Sequence, residues 1–187
     1  MPDLESDLFT LAMSEKAQPL MDAVIKHIKD NVDPITEEFY ELDREKEDRW
    51  SWHPRQLELL DGAKAKAKKS GLWNFFLPDS EMGEGLTNLD YAYIAAELGK
   101  SNLASETLNC SAPDTGNMEV LERVGTPEQK EQWLKPLLNG EIRSAYAMTE
   151  PGIPSSDAKN VSTEAVPDGD EWVINGEKFY IPGAADP

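Results

Sequence analysis

Cysteine, histidine and positive charge are all scarce in this sequence. Cys110 is the one cysteine in 187 residues, so an intrachain disulfide is ruled out. Two His with one Cys do not build an ordinary structural zinc site. Lys and Arg total 18 against 36 Asp and Glu, a formal charge of −18. That balance argues against nonspecific nucleic-acid binding and against attraction to anionic membranes. No apolar run approaches the length of a membrane span. The first residues carry no signal-peptide core and are too acidic for a typical mitochondrial transit peptide. The cysteine count is compatible with reducing, intracellular surroundings. It does not separate mitochondrial, peroxisomal and cytoplasmic locations.

What remains is enough for a core. Apolar residues make up 39 % of the chain, and its length suits one medium domain, or one domain plus a piece of another. Residues 1 to 12 are acidic and are expected to be poorly ordered. Ser14 is an N-cap candidate for a helix whose apolar stripe is Leu20, Met21, Val24, Ile25 and Ile28. Residues 33 to 52 mix acids and bases with Phe39, Tyr40, Trp50 and Trp52, and read as an irregular or partly helical connection. Glu37 and Glu38 are adjacent, so on a helix they point apart and mark a solvated face. His53-Pro54 opens a further helix, with Leu57, Leu60, Ala63 and Ala67 on its buried side. Lys64, Lys66, Lys68 and Lys69 form the strongest basic cluster. Either they meet a phosphate or they cover the C-terminal end of a surface helix. Ser70-Gly71 stops that helix, and Leu72 to Pro78 is a compact apolar segment expected in the core.

Gly83 and Gly85 lack the strand and third glycine of a dinucleotide fingerprint, so no phosphate role is assigned there. Thr87 with Asp90 caps the next helix, whose core face is Tyr91, Ile94, Ala95 and Leu98. Residues 103 to 124 read as one helix or two short ones, interrupted at Pro113. Cys110 lies near neither His in sequence and reads as a small buried hydrophobe. Thr126-Pro127-Glu128-Gln129 is a complete helix start, and that helix ends at Gly140 with Pro136 bending or shortening it. At Ile142 the period changes. Residues 142 to 149, 160 to 166 and 171 to 181 read as strands, with a tight turn at Pro167-Asp168-Gly169-Asp170. Asp168, Asp170 and Glu171 have the wrong spacing for a calcium loop. The chain is therefore mainly α with a β segment at the C-terminus. The boundary falls between a helical domain, 1–141, and the start of a β domain, 142–187.

One stretch organises the whole. Ala145-Tyr146-Ala147-Met148-Thr149-Glu150 begins as an alternating strand and breaks at Pro151-Gly152 into a loop rich in hydroxyls, Ser155 and Ser156 among them. Free backbone N–H groups and short donors suit a flat, polar-edged ligand or an anionic oxygen. An unliganded hairpin turn fits the composition as well. A second stretch, Trp172-Val173-Ile174-Asn175-Gly176-Glu177-Lys178-Phe179-Tyr180-Ile181-Pro182-Gly183, answers the first.

This pair resembles the flavin-binding signature of the acyl-CoA dehydrogenases: a Tyr-Ala-Met-Thr-Glu-Pro strand end, a Ser-Asp loop, and a strand reading Ile-Asn-Gly-x-Lys-aromatic-aromatic. The segments Asn109 to Leu121 and Gly125 to Lys130 are similar to the branch of family members ten and eleven. The resemblance covers roughly residues 50 to 187. It implies an N-terminal helical domain followed by the first strands of the middle β-barrel domain. In the family a C-terminal helical domain then follows, and this chain stops before one. The implied reaction is α,β-dehydrogenation of an acyl-CoA thioester with FAD as cofactor. The implied partners are the acyl-CoA substrate and further copies in a homo-oligomer when full length, with the electron acceptor left open. No metal is implied.

The resemblance also implies roles at matching positions. Tyr146, Met148 and Thr149 lie against the flavin edge, with the Thr149 hydroxyl bonding the ring. Ser155 and Ser156 reach the flavin phosphate, and Ser156 also the CoA portion of the substrate. Tyr180 takes the place of the aromatic over the ring and Pro182 that of a Thr or Ser. Pro182 brings neither a hydroxyl nor an N–H, so one donor of the family pattern is missing. The loop from Gly152 to Ser156 is one residue longer than the commonest family form. No catalytic base is assigned within the chain, because the family's base is a carboxylate of the C-terminal domain and Glu150 reads as structural. On that reading the chain alone is inactive. A non-catalytic helical binding module is the alternative.

Overall fold

The computed structural model describes residues 11–48, 50–78 and 82–184. The expectation for the first residues therefore lies largely outside the described residues. Helix α1, Gln18–His27, runs through a wider π-type turn at Ile28–Val32 into α2, Asp33–Glu45. A second π-type turn, Lys130–Leu134, lies within α7, which runs in pieces as Pro127–Gln129, that turn, and Lys135–Asn139. Each π turn precedes a proline, Pro34 or Pro136. The proline ring has no N–H and collides with the carbonyl four residues back, and widening the turn accommodates both faults. Of the two readings for residues 33 to 52, irregular or partly helical, the second holds: residues 33–45 are helix and the described residues after them are not. The charged surface hid a short inner face centred on Phe39, which is buried.

The remaining helices are α3, Pro54–Lys69; α4, Asn88–Leu98; α5, Ala104–Thr107; and α6, Asp114–Val124. The local start signals hold. The Thr87 hydroxyl accepts from Asp90 N–H at 3.1 Å, and the Thr126 hydroxyl accepts from Gln129 N–H at 3.3 Å. His53 caps α3 with its ring, accepting from Arg55 N–H at 3.1 Å. Ser14 caps the turn before α1, accepting from Ala17 N–H. Its own N–H donates to the Asp90 carboxylate at 2.7 Å, fastening α1 to α4.

Two phases differ from the sequence reading. On α3, Leu57 is 40 % exposed, whereas Gln56, Leu59, Leu60, Ala63 and Ala67 face inward. On α1, Ile25 is exposed and His27 is buried. In each case a polar residue takes an inner position because a specific acceptor or donor waits there. The Gln56 amide donates to Phe39 O at 3.0 Å, and His27 Nε2 lies 3.3 Å from Thr107 Oγ1. The main core gathers Val24, Phe75, Leu77, Ile94, Leu98, Leu108, Met118 and Leu134. Leu72, Phe75, Phe76 and Leu77 are buried, as their apolar run implies.

The exposed carbonyls at the end of α7 are covered by side chains from other elements. Trp73 Nε1 and Asn74 Nδ2 donate to Leu138 O at 2.6 and 2.8 Å, and Asn109 Nδ2 donates to Leu137 O at 3.0 Å. Lys68 donates to Asn139 O at 2.5 Å, and Lys64 pairs with Glu106, so two of the four clustered lysines have structural partners. Gly140 ends the helix at φ 66°, the left-handed geometry of a C-terminal stop.

The β segment is shorter than expected. Strands β1, Glu164–Asp168, and β2, Glu171–Asn175, form an antiparallel hairpin around Gly169, with Val166 opposite Val173. Residues 142 to 149 join no ladder, contrary to the strand expected from their alternation. Their neighbour across the gap contains Pro182, which lacks an N–H, and Tyr180 at φ 52°, and both interrupt a regular ladder. Both faces of the hairpin are exposed. Among the described residues no helix is long and apolar enough to cross a membrane.

Candidate functional site

Once the chain leaves α7, Asp114, the first residue of α6, catches it. The Asp114 carboxylate accepts from Ser144 N–H at 2.8 Å, from Ser144 Oγ at 2.6 Å and from Arg143 Nε at 2.7 Å. Arg143 Nη1 reaches Glu106 at 2.6 Å, where Lys64 also binds. Asn117 Nδ2 donates to Ser144 Oγ at 2.8 Å. From this anchor the chain runs on to the buried Glu150.

The second stretch returns antiparallel beside it. Phe179 N–H donates to Thr149 O at 3.1 Å. A Cβ at Gly183 would stand 3.3 Å from Ser144 O and 3.7 Å from Ala145 Cβ. Both contacts fit an antiparallel approach of the two stretches. The two stretches singled out in the sequence are therefore brought together.

Glu150 is the hub of this region. It is only 3 % exposed. Oε2 accepts from the N–H and the hydroxyl of Ser162, both at 2.7 Å. Oε1 accepts from Thr163 N–H at 2.9 Å, from the Thr163 hydroxyl and from Lys178 Nζ at 2.8 Å. The Lys178 ammonium, then the Thr163 and Ser162 donors, hold its carboxyl far below the usual carboxylate range. A carboxylate saturated by five donors and kept ionised is poorly placed to take a proton, which agrees with a structural reading of Glu150.

The loop after Glu150 folds back on itself. Gly152 adopts φ 78°, a conformation open to glycine at no steric cost. The buried Ser155 hydroxyl accepts from Glu150 N–H at 2.7 Å and so closes the loop. Ser156 beside it is exposed. Asp157 caps the short turn Ala158–Asn160 through Lys159 N–H at 3.1 Å. Thr149 and Met148 are half-buried. Tyr146 is 62 % exposed and Tyr180 81 % exposed, the latter with its ring 4.3 Å from that of Phe179. Among the described residues no group hydrogen-bonds the Thr149 hydroxyl. Pro182, with Ile181 and Gly183, lines a groove of about 380 Å³ whose other wall is Phe39, Tyr40, Trp50 and Trp52. Cys110 lies apart in the core, its thiol pushed up to about 12 by burial.

Sequence reasoning placed Lys178 in the second stretch without a role, and gave none to Ser162 or Thr163. The Lys of the second stretch was visible, but nothing in a linear pattern ties residue 178 to residue 150. The aromatic wall on α2 and the segment after it was equally unassigned.

A core of helices followed by a β hairpin, with a polar loop between two paired stretches, defines the class. The chain belongs to the acyl-CoA dehydrogenase family, whose N-terminal domain profile matches residues 14–141. It is 44 % identical over 180 residues to mouse acyl-CoA dehydrogenase family member 10, covering 94 % of this chain and 16 % of that protein. It is 43 % identical over 188 residues to mouse family member 11, covering 99 % and 23 %. Its structure resembles one from Mycobacterium abscessus assigned to the acyl-CoA dehydrogenases, with a TM-score of 0.81, 48 % identity, and 91 % and 43 % of the two chains covered. It also resembles the acyl-CoA dehydrogenase of Bacillus anthracis complexed with FAD, at a TM-score of 0.58 and 27 % identity, covering 90 % and 27 %. The chain thus spans about a quarter or less of the two mouse relatives.

Proposed function

We propose that this chain is the N-terminal portion of an FAD-dependent acyl-CoA dehydrogenase that introduces a double bond between the α and β carbons of an acyl-CoA thioester. The observation that carries this is the approach of the two stretches at Thr149, whose carbonyl accepts from Phe179 N–H at 3.1 Å while Lys178 Nζ reaches Met148 O at 3.0 Å and Glu150 at 2.8 Å. Thr149 offers a half-buried hydroxyl that no described residue engages, and Tyr180 offers a ring face open to a flat ligand. These features fit a flavin, whose ring has polar edges and apolar faces. FAD, when bound, supplies the acceptor for the hydride leaving the β carbon.

The chain's own residues bind and orient. Thr149 would donate to the polar edge of a bound ring, and Tyr146 and Met148 would help hold it. Tyr180 and Pro182 would contribute from the facing stretch. Ser156 is free to reach a phosphate or the CoA portion. Ser155 supports it from beneath by closing the loop on Glu150 N–H. The charge of −18 repels an anionic thioester at long range, so binding relies on local donors. The base for the α proton comes, in this reading, from further chain, and Glu150, saturated by five donors, is not that base. In this reading the working enzyme is intracellular, completed by further chain, and a homo-oligomer.

The test is purification of the full-length protein with added FAD, followed by anaerobic titration with acyl-CoA. Stoichiometric flavin that bleaches on titration is the expected result. A full-length protein that takes up no flavin overturns the proposal.

A further inference from the structure

Thr149 is gripped from three directions by the facing stretch. Its own carbonyl accepts from Phe179 N–H at 3.1 Å. The residue before it, Met148, accepts at its carbonyl from Lys178 Nζ at 3.0 Å. The residue after it, Glu150, accepts from the same ammonium at 2.8 Å. One cation therefore bridges the two neighbours of Thr149 while the adjacent N–H holds Thr149 itself. The ammonium is well enclosed, with 23 % of the Lys178 side chain exposed and 2 % of that of Glu150. Glu150 is in turn fixed by Ser162 and Thr163 at the mouth of the hairpin.

We propose that Lys178, held by Glu150, is a positioning residue: it sets the placement of the Thr149 hydroxyl relative to Tyr180, and through it the contact to the flavin. This rests on the flavin reading above. The physical reason is geometric. Binding by a single hydroxyl requires its backbone to be held within a fraction of an ångström, and a lone extended segment without a ladder has no regular hydrogen bonds to do so. The lysine supplies the missing constraint through both neighbours of Thr149, and the Phe179 N–H supplies it at Thr149 itself. An ammonium has three donors on one atom, so a single group can satisfy a carbonyl and a carboxylate together. A neutral side chain of similar length fills the space and makes neither bond.

The test uses Lys178→Met, Lys178→Arg and the double variant Glu150→Gln/Lys178→Met, which avoids a buried unpaired carboxylate should the single change fail to fold. Hydrogen exchange is measured at Phe179 N–H in the 187-residue chain. Exchange is expected to quicken roughly tenfold or more in the Met variants, matching the loss of a buried charged hydrogen bond, and to recover in the Arg variant. In the FAD-loaded full-length protein, the FAD dissociation constant is expected to rise roughly tenfold in the Met variants. The flavin absorbance maximum and reduction potential are expected to move at saturating FAD, with recovery in the Arg variant. Unchanged exchange at Phe179, or an unchanged potential at saturating FAD alongside a lowered melting temperature, overturns the positioning role. Absence of flavin from the wild-type full-length protein overturns the flavin reading instead. The exchange arm then still reports on the grip at Thr149.

Discussion

Arg143 Nε lies 2.7 Å from Asp114 Oδ2, and this contact ties the start of the β segment to the N-terminus of α6. The Asp114 side chain is 4 % exposed, and it also holds the hydroxyl and N–H of Ser144.

Removing Asp114 therefore leaves several donors unpaired at once. Asp114→Ala is expected to cost about 3 kcal/mol of stability, and Arg143→Ala less, because arginine is partly solvated. A double-mutant cycle read by urea unfolding should show a clear coupling energy. Strict additivity of the two changes would show that the pair is not coupled.

His27 should make the fold acid-sensitive near neutrality. Burial, then the charge of Lys66, lowers its pKa below the ordinary value of 6.5. The unfolded chain then binds the proton more readily than the folded one. The stability from a neutral His27 is complete above about pH 6.5 and is lost as the pH falls from there toward the lowered folded value. The melting temperature should drop between pH 7 and pH 5.5 (roughly one unit below the ordinary histidine value) in the wild type, and by less in His27→Gln.

Glu150 acts in a different window. Its folded pKa is depressed, so its contribution is complete above the ordinary glutamate value of about 4.3 and is lost only as the pH falls toward the much lower folded value. A ¹³C signal from the Glu150 carboxyl should remain that of the ionised form at about pH 4, where exposed glutamates are largely protonated. A midpoint near 4.3 would show that the five-donor arrangement does not persist in solution.

Asn109 serves both its backbone and its amide. It sits at φ 56°, and its amide reaches Asn74 Oδ1 at 2.7 Å as well as Leu137 O. Asn109→Gly keeps the backbone geometry and loses the amide; Asn109→Ala loses both. The alanine variant should be less stable than the glycine variant by about 1 kcal/mol, measured by denaturant midpoint. Equal stabilities would remove the backbone argument.

The 187-residue chain by itself should neither hold FAD tightly nor oxidise acyl-CoA. Tyr146 and Tyr180 lie largely open to solvent, and a flavin needs most of its surface buried for tight binding. Gel filtration with added FAD, and bleaching by acyl-CoA with an artificial acceptor, measure both points. In the FAD-loaded full-length protein, Thr149→Val should shift the flavin reduction potential, and an unchanged potential would remove Thr149 from the site.

Local chemistry was legible from the residues alone. Thr87 with Asp90, Thr126 with Gln129, His53 before Pro54, and the stops at Gly71 and Gly140 each depend on atoms within a turn or two, so their patterns survive in one dimension. The turn at Gly169 and the family motifs were legible for the same reason. Partners distant in sequence were not. The helix over Asp33–Glu45 depends on a small buried face around Phe39 and on Gln56 reaching Phe39 O, which charge-rich periodicity concealed. Residues 142 to 149 alternate as a strand does, yet a strand is decided by its neighbour, and here that neighbour carries Pro182 and a left-handed Tyr180. Glu150 read as structural from its place before Pro151. Only the tertiary fold supplied the five donors from Ser162, Thr163 and Lys178 that give this reading its physical cause.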